Sequence, residues 1–141
     1  MTIKLLAVAS FAVSLAISSQ VQAETILLKS ELKASNEVPP NSSTATGTAE
    51  ASFDTVAKTL TWKVTYSGLT GAALGAHFHG PSEPGKNAGI VLPFKSVESP
   101  ISGSATLSDT QAADLLAGKW YANIHTAANP GGEIRGQMVK Q

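Results

Sequence analysis

The run Thr59-Leu60-Thr61-Trp62-Lys63-Val64-Thr65-Tyr66 alternates polar and apolar side chains without a fault. Successive side chains of a strand point to opposite faces, so this segment buries Leu60, Trp62, Val64 and Tyr66 together only as a strand with one wet face. A helix would scatter the same four residues around its circumference. Just upstream, Ala49, Ala51 and Phe53 alternate with Thr48, Glu50, Ser52 and Asp54, and Thr55-Val56-Ala57-Lys58 joins the two runs. So short a connection predicts an antiparallel hairpin. Further strands are expected at Ile26 to Ala34, Gly75 to His79, Ile90 to Pro93, Ile101 to Leu107, Trp120 to Thr126 and Glu133 to Val139. Short strands separated by Gly, Pro and Asn clusters predict an all-β fold of about seven or eight antiparallel strands, an immunoglobulin-like or Greek-key sandwich or a barrel.

One segment departs from the period of two. Ser108-Asp109-Thr110-Gln111 has the form of a capping box, followed by Ala112, Ala113, Leu115 and Leu116 and then by Gly118 as a stop. It predicts a single short helix over Ser108 to Ala117, closing one end of the fold. Asn36 to Ala45 and Gly80 to Gly89 are read as loops from their Pro, Ser, Thr, Gly and Asn content.

The N-terminus sets the compartment. Lys4 supplies a positive charge, Leu5 to Ile17 is apolar but shorter than the roughly 20 residues of a membrane span, and Val21-Gln22-Ala23 has the small-residue form of a cleavage site. Residues 1–23 are therefore expected to be a signal peptide and residues 24–141 a single domain, periplasmic or secreted, without a membrane anchor. The chain has no cysteine, so packing must supply its stability and any metal must use nitrogen and oxygen ligands. Ten basic residues balance ten acidic ones, with no basic cluster of the kind a nucleic-acid partner requires.

All three histidines fall in two short segments of similar form, Ala76-His77-Phe78-His79 and Ala122-Asn123-Ile124-His125. Alternate residues on a strand share a face, so His77 and His79 can converge on one ion, and a neighbouring strand can bring in His125. Three imidazoles suit Cu(II) or Zn(II), with binding expected to weaken as they protonate below pH about 6.5. Glu83 and Glu37, both in loops, are candidate oxygen ligands; as plain loop residues they would be solvated charges. The same histidines could instead be fasteners that donate to loop carbonyls. Glu133 and Arg135 share a strand face, and Arg135 is expected to bridge loop carbonyls or a carboxylate. Trp62, Tyr66 and Trp120 are assigned to the core.

Four blocks in order then support a resemblance: Ser35-Asn36-Glu37-Val38-Pro39-Pro40, Ala76-His77-Phe78-His79-Gly80-Pro81, Tyr121-Ala122-Asn123-Ile124-His125-Thr126, and Pro130-Gly131-Gly132-Glu133-Ile134-Arg135-Gly136-Gln137. Together they resemble the CHRD domain, a family named from chordin and also found as single secreted domains in bacteria. The resemblance spans about Ile26 to Val139 and implies an extracellular immunoglobulin-like sandwich or barrel; it implies little about activity. A weaker likeness is to copper–zinc superoxide dismutase, through His-x-His on a strand with a distant third histidine. That family uses a fourth copper histidine, a zinc loop with further histidines and an aspartate, and a disulfide, whereas this chain has three histidines in all and no cysteine.

No nucleophilic arrangement stands out, since serines occur outside any G-x-S-x-G turn and the acidic residues are scattered. The expectation is therefore a binding module rather than an enzyme. One reading has the histidines bind copper or zinc. A second is a metal-free adhesion module that meets an extracellular protein or glycan, and a third is a copper oxidoreductase of the dismutase type.

Overall fold

In the computed structural model, which describes residues 22–141, the chain forms nine antiparallel strands and one α-helix. In order these are β1 (Thr25–Lys33), β2 (Thr46–Asp54), β3 (Thr59–Ser67), β4 (Ala73–His79), β5 (Ile90–Pro93), β6 (Ile101–Thr106), α1 (Asp109–Leu116), β7 (Tyr121–Thr126), β8 (Ile134–Gln137) and β9 (Val139–Lys140). The basic and apolar parts of the expected signal peptide lie outside the described residues. Among the described residues no helix is long and apolar enough to cross a membrane.

The alternation at 59–66 behaves as a half-buried strand. Leu60, Trp62 and Val64 are buried, whereas Thr61, Lys63 and Thr65 face solvent. β2 and β3 form the expected hairpin, paired in register from Thr46 opposite Ser67 to Asp54 opposite Thr59. The hydrogen-bonded order is β5-β4-β7-β8-β1-β2-β3-β6, with β9 also on β1. β8 meets β1 at one residue pair, Lys33 opposite Arg135, and there the sheet turns over on itself. Its halves face each other: Trp62 of β3 meets Phe78 of β4 edge-on at 5.6 Å and stacks on Phe94 at 5.4 Å. The all-β antiparallel expectation holds, as one curled sheet whose interior is lined by Leu32, Leu60, Phe78, Trp120, Ile124 and Ile134. Each large apolar side chain so buried contributes about 1.5–3 kcal/mol relative to exposure.

The helix also follows its sequence. Ser108 Oγ accepts from Gln111 N–H while Gln111 Oε1 accepts from Ser108 N–H, and Ala112 and Leu115 turn inward. Gly118 ends the segment at φ 75°, in the left-handed region that favours glycine.

The strand count exceeds the expected seven or eight for a local reason. The segment expected as one strand from Glu133 to Val139 breaks at Met138, whose N–H donates to Trp120 O at 2.8 Å and whose side chain enters the core. The chain thereby leaves β7 for β1, and the two-residue β9 becomes a separate strand. At the other end, β1 stops at Lys33, and Ala34–Asn36 tightens into a 3₁₀ turn.

β7 positions the site because both of its faces are covered. Ala122 and Ile124 enter the apolar interior, with Thr126 buried on the same face, and Tyr121 and Asn123 on the other face are buried as well. The face opposite the interior is thus a second, polar layer roofed by loops.

Candidate metal centre

The pairing of β4 with β7 sets Gly75 opposite His125, His77 opposite Asn123 and His79 opposite Tyr121. Directly paired residues share a face, so all three imidazoles stand on one side of the sheet while Phe78 between them enters the core. Ring centroids lie 5.0 Å apart for His77 and His125, 5.5 Å for His77 and His79, and 5.8 Å for His79 and His125. One nitrogen of each ring lies within 4.8 Å of the others. Nitrogens bound to one ion at about 2.0–2.1 Å sit roughly 3.3–4.2 Å apart, somewhat closer than the 4.8 Å within which these nitrogens lie. Gly75 keeps the approach clear, since a Cβ there would lie 3.0 Å from His77 Cε1.

The ring nitrogens divide into two sets. His79 Nδ1 lies 3.0 Å from Ala88 O, and His125 Nδ1 lies 3.0 Å from Pro130 O. A carbonyl only accepts, so each Nδ1 carries the proton and each Nε2 keeps a bare lone pair. Those two Nε2 atoms and His77 Nδ1 are buried without a hydrogen-bond partner. Leaving buried polar atoms unpaired costs about 1–3 kcal/mol each, which makes three such nitrogens in one cluster a feature that calls for a ligand. Fixing one ring nitrogen on a carbonyl is also how metal-binding histidines are oriented.

Burial, reinforced by the neighbouring His125 and His79, pushes His77 down to about 4. His79 is lowered as well, first by burial, with Ala88 O pulling the other way and His125 and Arg135 adding to the fall. Neutral imidazole is the form a metal requires, and burial favours that form in both rings.

The two candidate oxygen ligands are not gathered with the histidines. Glu83 is an exposed loop residue outside the cluster. Glu37 is buried at 3 % exposure and so is not a solvated loop charge; its carboxylate accepts from Asn123 Nδ2 and, at 2.7 Å, from Arg135 Nε. Burial raises its carboxyl, opposed by Arg135 and Asn123. Gly132, at φ 128°, makes room for this pair, because a Cβ there would fall 2.5 Å from Asn123 Nδ2. Arg135 bridges as expected, donating to Lys86 O at 3.2 Å and Asn87 Oδ1 at 2.7 Å besides Glu37.

Two further residues of the four sequence blocks take roles that the sequence did not assign them. Glu133 is buried and accepts from Ser43 Oγ, Thr70 N and Oγ1, and Thr126 Oγ1 at 2.6–2.9 Å. Desolvation acts to raise its carboxyl, but these hydrogen bonds outweigh it and bring it down to about 2. Tyr121 stacks on His79 with ring planes 1° apart and centroids 4.9 Å apart. The signal for Tyr121 was present in the sequence, since Tyr121, Asn123 and His125 alternate onto one face of their strand.

No curated protein and no solved structure matches the chain. The CHRD domain matches it over residues 28–138, from β1 through Met138 and across both histidine segments. That span takes in most of β1, all of β2 to β8, the helix and every residue of the cluster, and the chain belongs to the CHRD domain family.

Proposed function

We propose that this protein is an exported CHRD-type binding module that holds one copper or zinc ion on His77, His79 and His125. The observation that carries the reading is the set of three buried, unpartnered ring nitrogens in one cluster, with the opposite nitrogens of His79 and His125 tied to carbonyls. A fastening role accounts for the two carbonyl contacts. It leaves the other three nitrogens without an explanation, whereas a bound ion uses all of them.

The donor set fits such an ion. Imidazole suits copper and zinc, and the chain has no thiolate to draw a softer one. His77, His79 and His125 would hold the metal, and Ala88 O and Pro130 O would hold His79 and His125 in turn. Glu37 and Glu133 serve at one remove, by ordering the chain around the cluster. Export is supported by the basic, apolar and small-residue order of residues 1–23. A binder is favoured over a dismutase because the ligand set has three histidines in all and the neighbouring cation, Arg135, is a single charge already paired with Glu37.

Calorimetric titration of metal-free protein with Cu(II) or Zn(II) tests the reading. Saturable binding of about one ion per chain, abolished in the triple His→Ala variant, is expected for a closed site. Absence of saturable heat, or equal binding by the triple variant, would leave the metal-free interaction module as the correct description.

A further inference from the structure

We infer that Tyr121 and Arg135 are positioning residues for this metal site, acting on His79 through the carbonyl of Ala88; the inference rests on the metal reading above. Segment 80–89, which carries Ala88, has no strand or helix of its own. A backbone bond from Gly80 N to Gly89 O at 3.1 Å closes its base. The position of Ala88 within it depends on side chains.

Tyr121 and Arg135 supply them. The Tyr121 hydroxyl accepts from Ala88 N at 3.1 Å and donates to Ala88 O at 3.3 Å, the same oxygen that faces His79 Nδ1. Arg135 holds the two preceding residues, through Lys86 O and Asn87 Oδ1. The aromatic stack works on the same ring from the side: the guanidinium lies 4.4 Å from the Tyr121 ring centroid, and that ring lies parallel to His79. Glu37 fixes Arg135 from behind.

Tyr121 therefore sets two properties of one ligand, with its ring fixing the plane of the imidazole and its hydroxyl fixing the carbonyl that keeps the proton on Nδ1. Were the proton to move to Nε2, it would occupy the lone pair offered to the ion. A loop fastener without this role would affect stability and leave the tautomer of His79 unchanged.

Tyr121→Phe keeps the ring and removes the hydroxyl, and it is tested in the full chain after folding is verified by circular dichroism. Nitrogen-15 NMR of the metal-free protein is expected to show His79 as the Nδ1–H tautomer in wild type and a mixture with the Nε2–H form in the variant. Zn(II) affinity, measured against a competing chelator, is expected to fall about 10-fold or more. The same substitution in a His79→Ala background is expected to add no further loss, since the coupling runs through that ring. Arg135→Lys should weaken binding in the same direction, because an ammonium cannot reproduce the planar fork. Tyr66→Phe is the control: that hydroxyl donates to Val97 O at 2.7 Å, away from the histidines, and its loss should alter neither readout. A folded Tyr121→Phe protein with an unchanged tautomer and unchanged affinity would overturn the inference, as would an additive loss in the His79→Ala background. Failure of wild type to bind Zn(II) would instead remove the metal reading, and the tautomer measurement, which needs no metal, would still decide whether Tyr121 positions His79.

Discussion

His77 links burial to pH. Its folded form resists protonation until about pH 4, while the unfolded chain protonates it near 6.5. Between those values the unfolded state holds more protons, so stability rises with pH across that window. The contribution is full above about 6.5 and is lost as pH falls toward 4. His79, also lowered, acts in the same sense, and Glu37, whose carboxyl is raised, acts in the opposite one. Urea midpoints of the metal-free protein at pH 4.5 and 7 should therefore differ by less in His77→Phe than in wild type; an equal difference would mean that His77 titrates as a free imidazole. For the same reason, the proposed metal should face proton competition at His77 only well below the pH of about 6.5 expected from free imidazole. Trp62 carries the packing at this scale. Trp62→Ala removes the edge contact to Phe78 and the stack on Phe94, and should cost about 3–5 kcal/mol, read as a lowered denaturation midpoint.

At the level of elements, α1 depends on its cap. Ser108→Ala removes the acceptor for Gln111 N–H and should lower stability by about 1 kcal/mol in urea denaturation while leaving metal stoichiometry at one, because the helix contributes no ligand. The capping box was legible in the sequence because both of its partners are local, and so was β3, whose alternation has one apolar and one wet face. β7 was legible only in part. Its Ala122 and Ile124 signalled an interior face, but Tyr121 and Asn123 look like ordinary outward residues until loops from distant segments cover them. Glu37 shows the same limit: its partners Asn123 and Arg135 are far along the chain, and a carboxylate in a Pro-rich loop gives no local sign that it is buried. The break at Met138 was hidden because its cause is the turnover of the sheet between β7 and β1.

The whole molecule has an apolar layer between the halves of a curled sheet and a polar layer between the outside of β4, β7 and β8 and the loops that cover them. The first layer follows from hydrophobic periodicity. The second has no comparable pattern, and its order comes from Arg135, Glu37 and Tyr121 bonding to loop backbone and side chains. The histidine cluster lies in this second layer, so binding a metal there should stabilise the fold by mass action. A free-ion concentration 100 times the dissociation constant corresponds to about 2.7 kcal/mol, seen as a rise in melting temperature that a chelator reverses. The central claim, that His77, His79 and His125 jointly hold one ion, is tested most directly by X-ray absorption spectroscopy of the protein loaded with one equivalent of Zn(II). The account predicts three imidazole nitrogens at about 2.0–2.1 Å, reduced by one in His79→Ala; a first shell made mainly of oxygen, or one unchanged by that substitution, would contradict it.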